Sequence, residues 1–136
     1  MIQKLTHTTI YVHNQDEALA FYTDKLGFVV RMDVTMEGGF RWLTVGPASQ
    51  PELELVLFDI TPGGMFDADA ATQLRQLQAR GIFGGGVFTT ADCHATYAEL
   101  KAGGVEFVSP PQEQPYGVEA VFKDPSGNIF SLTQRR

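Results

Sequence analysis

The chain lacks several features that mark particular protein classes. Its single cysteine, Cys93, excludes an intramolecular disulfide and favours a reducing compartment. It has no apolar run near the length of a membrane span, and its first residues lack the basic start and continuous apolar stretch of a signal peptide. Basic residues are few and scattered, and the formal net charge is -6, whereas a phosphate-binding surface needs clustered Lys and Arg. We therefore expect a cytoplasmic protein that binds neither nucleic acid nor membrane.

What is present fits one globular domain. At 136 residues, with 43% hydrophobic and 19% charged residues, the chain is long enough to bury its own core and too short to suggest a second domain. We expect a single domain over residues 1–136.

An internal repeat organises the sequence. Residues 5–58 read as strand, helix and three further strands, and residues 84–134 repeat that order. The sequence therefore predicts two β-α-β-β-β modules, covering about residues 3–58 and 84–134. Between them, the apolar spacing of "DADAATQLRQLQARG" predicts a helical linker at about residues 66–81. In module two we expect a strand "VEFVS" followed by a loop "PPQEQPYG".

Capping residues mark the ends of the two module helices. Asn14 is a candidate N-cap for "NQDEALAFYTDKLG", and Gly27 ends that helix. Asp92 and Gly103 hold the same positions around "DCHATYAELKAGG". The matched caps support the repeat.

Strand alternation predicts which side chains share a face of the first sheet. In "ELELVLF", the three leucines form one apolar face, leaving Glu52, Glu54, Val56 and Phe58 on the other. In the first strand, His7 shares a face with Thr9 and Tyr11. The strand "FRWLTV" can offer this polar and aromatic face either its even positions, which include Trp42, or its odd positions. The alternation alone leaves both open.

The duplicated unit, "HTTIYVHNQDEALAFYTDKLGF" near the start and "KDPSGNIFSLTQ" at the end resemble the vicinal oxygen chelate superfamily, which includes glyoxalase I, extradiol dioxygenases and bleomycin-resistance proteins. The resemblance covers almost the whole chain. It implies an α+β fold in which the two modules form a curved mixed sheet, a half-barrel around a cavity, with helices outside. It also implies a homodimer.

Metal-dependent members of that superfamily place one ligand on the first and one on the last strand of each module. By this resemblance, His7 and Glu54 hold the two positions of module one, whereas Gly85 and Ser131 replace the ligands of module two. An imidazole and one carboxylate are too few for a stable site. We therefore expect no cofactor, with a weakly bound divalent metal at His7 and Glu54 as the alternative. A hydrogen-bonded His7–Glu54 pair without metal is the simpler interpretation.

Two functions from different classes follow. The first is a small-molecule binding protein with a degenerate metal site, whose ligand is a planar or amphipathic organic molecule. The second is a lyase or isomerase of glyoxalase type, weakly metal-dependent or metal-free with Glu54 as general base. A fold that serves assembly only is the third possibility. The predicted cavity residues are His7, Trp42, Glu54, Phe58, Tyr116, Glu119 and Ser131.

Overall fold

The computed structural model of the chain describes residues 1–61, 64 and 66–136. These residues divide into two compact units, Met1–Thr72 and Gln73–Arg136. Each unit contains one four-stranded mixed sheet with helical segments, and both follow the predicted β-α-β-β-β order. The α+β class and the duplicated topology are confirmed. Within the described residues, no helix has the length and apolarity needed to cross a membrane.

The first unit contains the sheet whose strand order is β1-β4-β3-β2. Its elements are β1 His7–Val12, α1 Gln15–Ala20, a π-helical turn Phe21–Lys25, β2 Val29–Thr35, β3 Arg41–Gly46 and β4 Glu54–Asp59. The strands β1 and β4 are parallel, and the other neighbours are antiparallel. Helix α2, Ala68–Ala79, lies where a helical linker was predicted and contains the boundary between the units.

The second unit repeats the arrangement with strand order β5-β8-β7-β6. Its elements are β5 Gly84–Thr89, α3 Cys93–Ala102, β6 Glu106–Gln114, β7 Gly117–Lys123 and β8 Ile129–Arg135. Here β5 and β8 form the parallel pair. The equivalent strands of both sheets are thus paired in the same sense.

Local signals set the helix starts. The side chain of Asn14 accepts a hydrogen bond from Glu17 N at 2.8 Å, and that of Asp92 accepts one from Ala95 N at 3.0 Å. Each bond satisfies an amide that would otherwise have no partner in the first helical turn. Both predicted caps are confirmed. The first helix differs from the prediction in its second half, which is π-helical from Phe21 to Lys25 before Gly27 turns the chain at φ 74°.

Apolar side chains on one face of each sheet pack against the helix of the same unit. In the first unit, Leu43, Val45, Leu55 and Leu57 are buried together with Tyr22 from the helical segment. In the second unit, the rings of Phe88, Phe122 and Phe130 stack, with Phe88 and Phe130 centroids 5.1 Å apart. Burying such large side chains contributes about 2 kcal/mol each to folding. The opposite face of each sheet remains for polar and aromatic residues.

Strand β6 runs further than predicted. The segment that begins at Pro110 was expected to be a loop, but the strand continues to Gln114. It lies at the edge of its sheet, and its pairing with β7 shifts register between Phe107 and Ser109 and again between Ser109 and Gln112. Proline lacks an amide hydrogen, which an edge strand with register shifts can tolerate. The loop prediction was wrong because the sequence does not show that this strand lies at the edge of its sheet, where the two prolines are tolerated.

The turn Asp124–Asn128 between β7 and β8 fixes the end of helix α2. Asp124 Oδ1 accepts hydrogen bonds from Ser126 N and Asn128 N, and Gly127 adopts φ 95°. A Cβ atom on Gly127 would overlap the carbonyl oxygen of Gln78 in α2. Gly127 is therefore required both for its positive φ and for this close backbone approach.

Replacing Gly127 with alanine should therefore destabilise the protein more than a matched replacement at Gly38. Gly38 has nearly the same backbone angle, φ 91°, but no atom of the described residues lies within 4 Å of the position that a Cβ would take there. Gly38→Ala should cost about 1 to 2 kcal/mol, the strain of a positive φ. Gly127→Ala should cost about 2 to 5 kcal/mol, because steric overlap is added to the strain. Urea unfolding of both variants measures the difference, and equal losses would contradict the close contact with Gln78.

Candidate functional site

The parallel pairing of β1 with β4 brings two polar side chains together. The register places His7 directly opposite Glu54, and His7 Nε2 lies 3.1 Å from Glu54 Oε2. The side chains are 40% and 27% exposed, so both remain accessible to a ligand. The contact agrees with the face predicted from strand alternation.

Strand β3 adds a buried hydroxyl to this pair. Thr44 is fully buried, and its Oγ1 donates a 2.7 Å hydrogen bond to Glu54 Oε1. Because side chains alternate along a strand, Trp42 lies on the same face as Thr44. The even positions of "FRWLTV" therefore share the face of Glu54, which settles the alternative that the sequence left open.

A chain of hydrogen bonds orients the imidazole of His7. Thr6 Oγ1 lies 2.8 Å from His7 Nδ1, on the opposite side of the ring from Glu54. An ionised carboxylate has no proton to donate, so at the 3.1 Å contact with Glu54 any proton between the two atoms is carried by His7 Nε2. In a neutral ring, Nδ1 then accepts from the Thr6 hydroxyl. The ring is contacted from both sides, and each oxygen of Glu54 contacts one protein group.

Aromatic rings continue this face along the sheet. The Trp42 ring lies 6.0 Å from that of His7. Further along, Phe58 contacts Tyr11, Phe40 and Phe66 with ring centroids 5.7 to 5.9 Å apart. The carboxylate of Glu54 therefore lies at one end of a partly exposed aromatic surface. Such a surface contacts apolar rings of a ligand, while Glu54 offers it an acceptor.

Three rings of this surface were not among the predicted site residues. Tyr11 and Phe40 could have been found from alternation, since they share parity with His7 and Trp42 respectively. Phe66 lies outside any strand, and no sequence periodicity marks it. We call the group Tyr11, Phe40, Trp42, Phe58 and Phe66 the aromatic face.

The residues of this site do not fit a metal ion. Among the described residues, no group of three or more His, Cys, Asp or Glu side chains lies close enough together to hold one. His7 and Glu54 instead contact each other at 3.1 Å, and the other oxygen of Glu54 accepts a hydrogen bond from Thr44. Two protein donors fall short of the three or four that zinc and similar ions require.

The predicted site residues of the second unit lie on one face of its sheet. Ser131 is paired with Val121, and Glu119 with Thr133, so Ser131 and Glu119 share the face opposite the stacked phenylalanines. The hydroxyl of Tyr116, which precedes β7, donates a 2.6 Å hydrogen bond to Glu119 Oε1. This hydrogen bond raises the pKa of Tyr116 above its ordinary value. Tyr116 is exposed, and its role in ligand binding stays a prediction.

The predicted equivalence of Gly85 with His7 needs correction. The ladder pairs Gly84 with Ile129 and Val87 with Ser131, and its register shifts at Gly85. A Cβ on Gly85 would run into the ring of Phe130, on the buried face of the sheet. Gly85 therefore does not sit beside Ser131 as His7 sits beside Glu54. The alignment was wrong because it counted residues through a β-bulge, which adds one unpaired residue.

Comparison with known proteins gives a consistent family. The model of the Glyoxalase/Bleomycin resistance protein/Dioxygenase superfamily matches residues 4–132. The uncharacterized protein YurT of Bacillus subtilis (strain 168) is 36% identical over 137 residues, which cover 97% of this chain and 99% of YurT.

Solved structures with the same fold include two whose sequences are also similar. The crystal structure of UcmS2 matches with a TM-score of 0.94 and 48% identity, covering 98% of this chain and 99% of that chain. That of TnmS3, an antibiotic binding protein from Streptomyces sp. CB03234, matches with a TM-score of 0.77 and 30% identity, covering 99% and 98%.

The hydrogen bond from Thr44 should be measurable as a coupling between Thr44 and Glu54. Thr44→Val keeps the side-chain shape but removes the donor, and Glu54→Ala removes the acceptor. We expect a coupling energy of roughly 1 kcal/mol in the free energy of unfolding, at the lower end for a charged acceptor because Glu54 is partly solvated.

The matched control for this double-mutant cycle is Thr23→Val. Thr23 bonds Leu19 O within the helical segment, so its loss should add to that of Glu54→Ala without coupling. Denaturant titration of the single and double variants provides both cycles. A Thr44–Glu54 coupling no larger than the control would contradict the bond.

Proposed function

The chain belongs to the Glyoxalase/Bleomycin resistance protein/Dioxygenase superfamily, and we propose that it is a small-molecule binding protein whose ligand contacts the aromatic face and Glu54. The observation that carries the proposal is that partly exposed rings share one face of the sheet with a carboxylate held by Thr44 and His7. The ligand is a planar or amphipathic organic molecule. Its rings pack on the aromatic face, and one of its donor groups bonds to Glu54.

Fixed polar groups favour binding over turnover at this site. Both oxygens of Glu54 already contact protein groups, Thr44 Oγ1 at 2.7 Å and His7 Nε2 at 3.1 Å, and these contacts hold the carboxylate in one orientation. A carboxylate held in this way is suited to accept a hydrogen bond from a bound ligand. The similarity to TnmS3, which is described as an antibiotic binding protein, supports a ligand of this general kind.

Binding is proposed to need no metal, since the donors at His7 and Glu54 are too few. The protein is proposed to act in the cytoplasm, and ligand contacts by Ser131, Glu119 and Tyr116, on the face of the second sheet, stay a prediction. A degenerate metal site, with two of the four superfamily positions retained, is part of the same proposal.

The single tryptophan of the chain, Trp42, makes this proposal directly measurable. A ligand on the aromatic face should quench tryptophan fluorescence. Two probes test this: bleomycin, which the superfamily name includes, and 8-anilinonaphthalene-1-sulfonate, a planar aromatic molecule. We expect saturable quenching by at least one probe, with unchanged affinity in the presence of a chelator.

Variants locate the bound probe. Phe58→Leu should weaken binding by roughly 3- to 10-fold, because one ring contact is worth about 0.5 to 1.5 kcal/mol. Phe107→Leu is the control, since Phe107 packs on Tyr97 and Phe122 in the second unit. Equal weakening by both variants, or affinity that requires zinc or nickel, would overturn the proposal.

The close contact between His7 and Glu54 supports one alternative, a glyoxalase-type lyase or isomerase in which Glu54 is the general base. The hemithioacetal of methylglyoxal and glutathione is the test substrate. Turnover that survives chelation and falls at least a hundredfold in Glu54→Gln would favour the enzyme. Absence of turnover in the folded protein, together with saturable probe binding, would favour the binding function.

We also infer a homodimer. Strand β2 lies at the edge of its sheet, and it exposes Val30, Met32 and Val34, each between 45% and 47% accessible. An apolar strand edge of this kind is suited to association with a second copy.

Light scattering at micromolar concentration tests the dimer against a chain mass of 14.9 kDa. Wild type should give twice that mass, and Val34→Lys should shift it toward the monomer. Ile82, which is 52% exposed outside the strands, provides the control Ile82→Lys, and its mass should not change. A monomeric wild type would contradict the inference.

A further inference from the structure

A cavity also lies in the first unit, beside Phe40 at the edge of the aromatic face. Its volume is about 290 Å³, at the lower end of the range for small-molecule sites. The cavity is lined by Gln15 at the start of α1, by Phe40 and Arg41 with the preceding Gly38–Gly39 turn, and by Asp59 at the end of β4 and Thr61 just after it.

This cavity is distinct from the site at Glu54. Glu54 is the first residue of β4 and Asp59 the last, so five residue steps, about 16 Å, separate them along the strand. Asp59 also has the opposite parity and shares the face of Leu57, against which α1 packs. Apart from Phe40, the residues that line this cavity do not belong to the aromatic face.

The positive charge in the cavity is already balanced. Arg41 donates two hydrogen bonds of 2.9 Å to Asp33, one from Nε and one from an Nη atom. It also forms an ion pair with Asp16 at 2.7 Å. These two carboxylates raise the pKa of Arg41 further above its usual range, and Arg41 lowers that of Asp33. With Asp59 included, the four charged groups sum to −2.

The remaining polar side-chain atoms are mainly acceptors. Gln15 Nε2 donates to both Arg41 O and Leu57 O, at 3.2 and 2.9 Å, which uses both of its hydrogens and leaves Oε1 as an acceptor. Asp59 Oδ1 accepts from Thr61 N and Oγ1 at 2.9 and 2.6 Å. Within the described part of the chain, no hydrogen bond engages Asp59 Oδ2. Its carboxylate is thus held by one oxygen and available through the other.

We propose that this cavity binds a small organic cation, with an ammonium or guanidinium group on Asp59 and an apolar portion against Phe40. A cation gains from the net negative charge and can donate to Asp59 Oδ2 and Gln15 Oε1. The ring of Phe40 adds an apolar surface and an attraction for positive charge. An anion would have to displace Asp16 or Asp33 from Arg41 and would face Asp59 at close range.

Three probes of one size separate the charge requirement from simple apolar binding. Phenethylamine is the cation, 2-phenylethanol the neutral analogue and 3-phenylpropionate the anion. The readout is the backbone amide NMR spectrum of the full chain. We expect phenethylamine alone to saturate and to shift the amides of Gly38, Gly39 and Thr61. Preference for the anion or the alcohol, or an absence of saturable shifts at these amides, would overturn the proposal.

Asp59→Asn tests the proposed contact while leaving an oxygen for Thr61. It should weaken phenethylamine binding by roughly tenfold or more. Glu99→Gln removes the same charge from an exposed position of α3, so it controls for net charge and should leave the affinity unchanged. Equal effects of the two variants would show a general charge effect and contradict a site at Asp59.

A second variant keeps the test decisive if Asp59→Asn does not fold. Thr61→Lys places a tethered ammonium at the exposed rim of the cavity, beside Asp59, and should block phenethylamine. Unchanged phenethylamine affinity in folded Thr61→Lys would overturn the proposal. Both variants keep the aromatic face intact, so fluorescence titration through Trp42 reports separately on the first site.

Discussion

The parallel pairing of β1 with β4 is the constraint on which the candidate site depends. These strands come from the two ends of the first module, and only their register sets His7 against Glu54. A slip of one residue would turn Glu54 toward the leucine face and bury an unpaired carboxylate there. The apolar alternation of β4 opposes such a slip, because Leu55 and Leu57 would then lose their burial. The residues of the core thereby fix the residues of the site.

Both oxygens of the Glu54 carboxylate contact protein groups, which distinguishes it from a carboxylate that is free to bind a metal. The bonds from Thr44 and His7 hold Glu54 in one orientation before any ligand arrives. Preorganisation of this kind reduces the entropy lost when a ligand binds. This is the physical reason for placing recognition of a small molecule ahead of catalysis.

Features that depend on short stretches could be predicted from the sequence, whereas those that depend on pairing could not. Asn14 and Asp92 cap their helices because a cap requires only neighbouring amides. The face containing Trp42 became known only from the pairing of β3 with β4, and the bulge at Gly85 only from that of β5 with β8. Phe66 reached the aromatic face from outside the strands, where no period applies. The duplicated topology was predictable because it repeats a local pattern.

The backbone contact between Gly127 and Gln78 also bears on the order in which the chain folds. The turn that contains Gly127 comes well after α2 in the sequence, and Gln78 of α2 lies against it. During synthesis, this contact forms only after β7 and the turn that follows it have been made. A helix as short as α2 is marginal without tertiary contacts. The contact at Gln78 is therefore made late, whereas the pairing of β1 with β4 joins two strands that both lie in the first half of the chain.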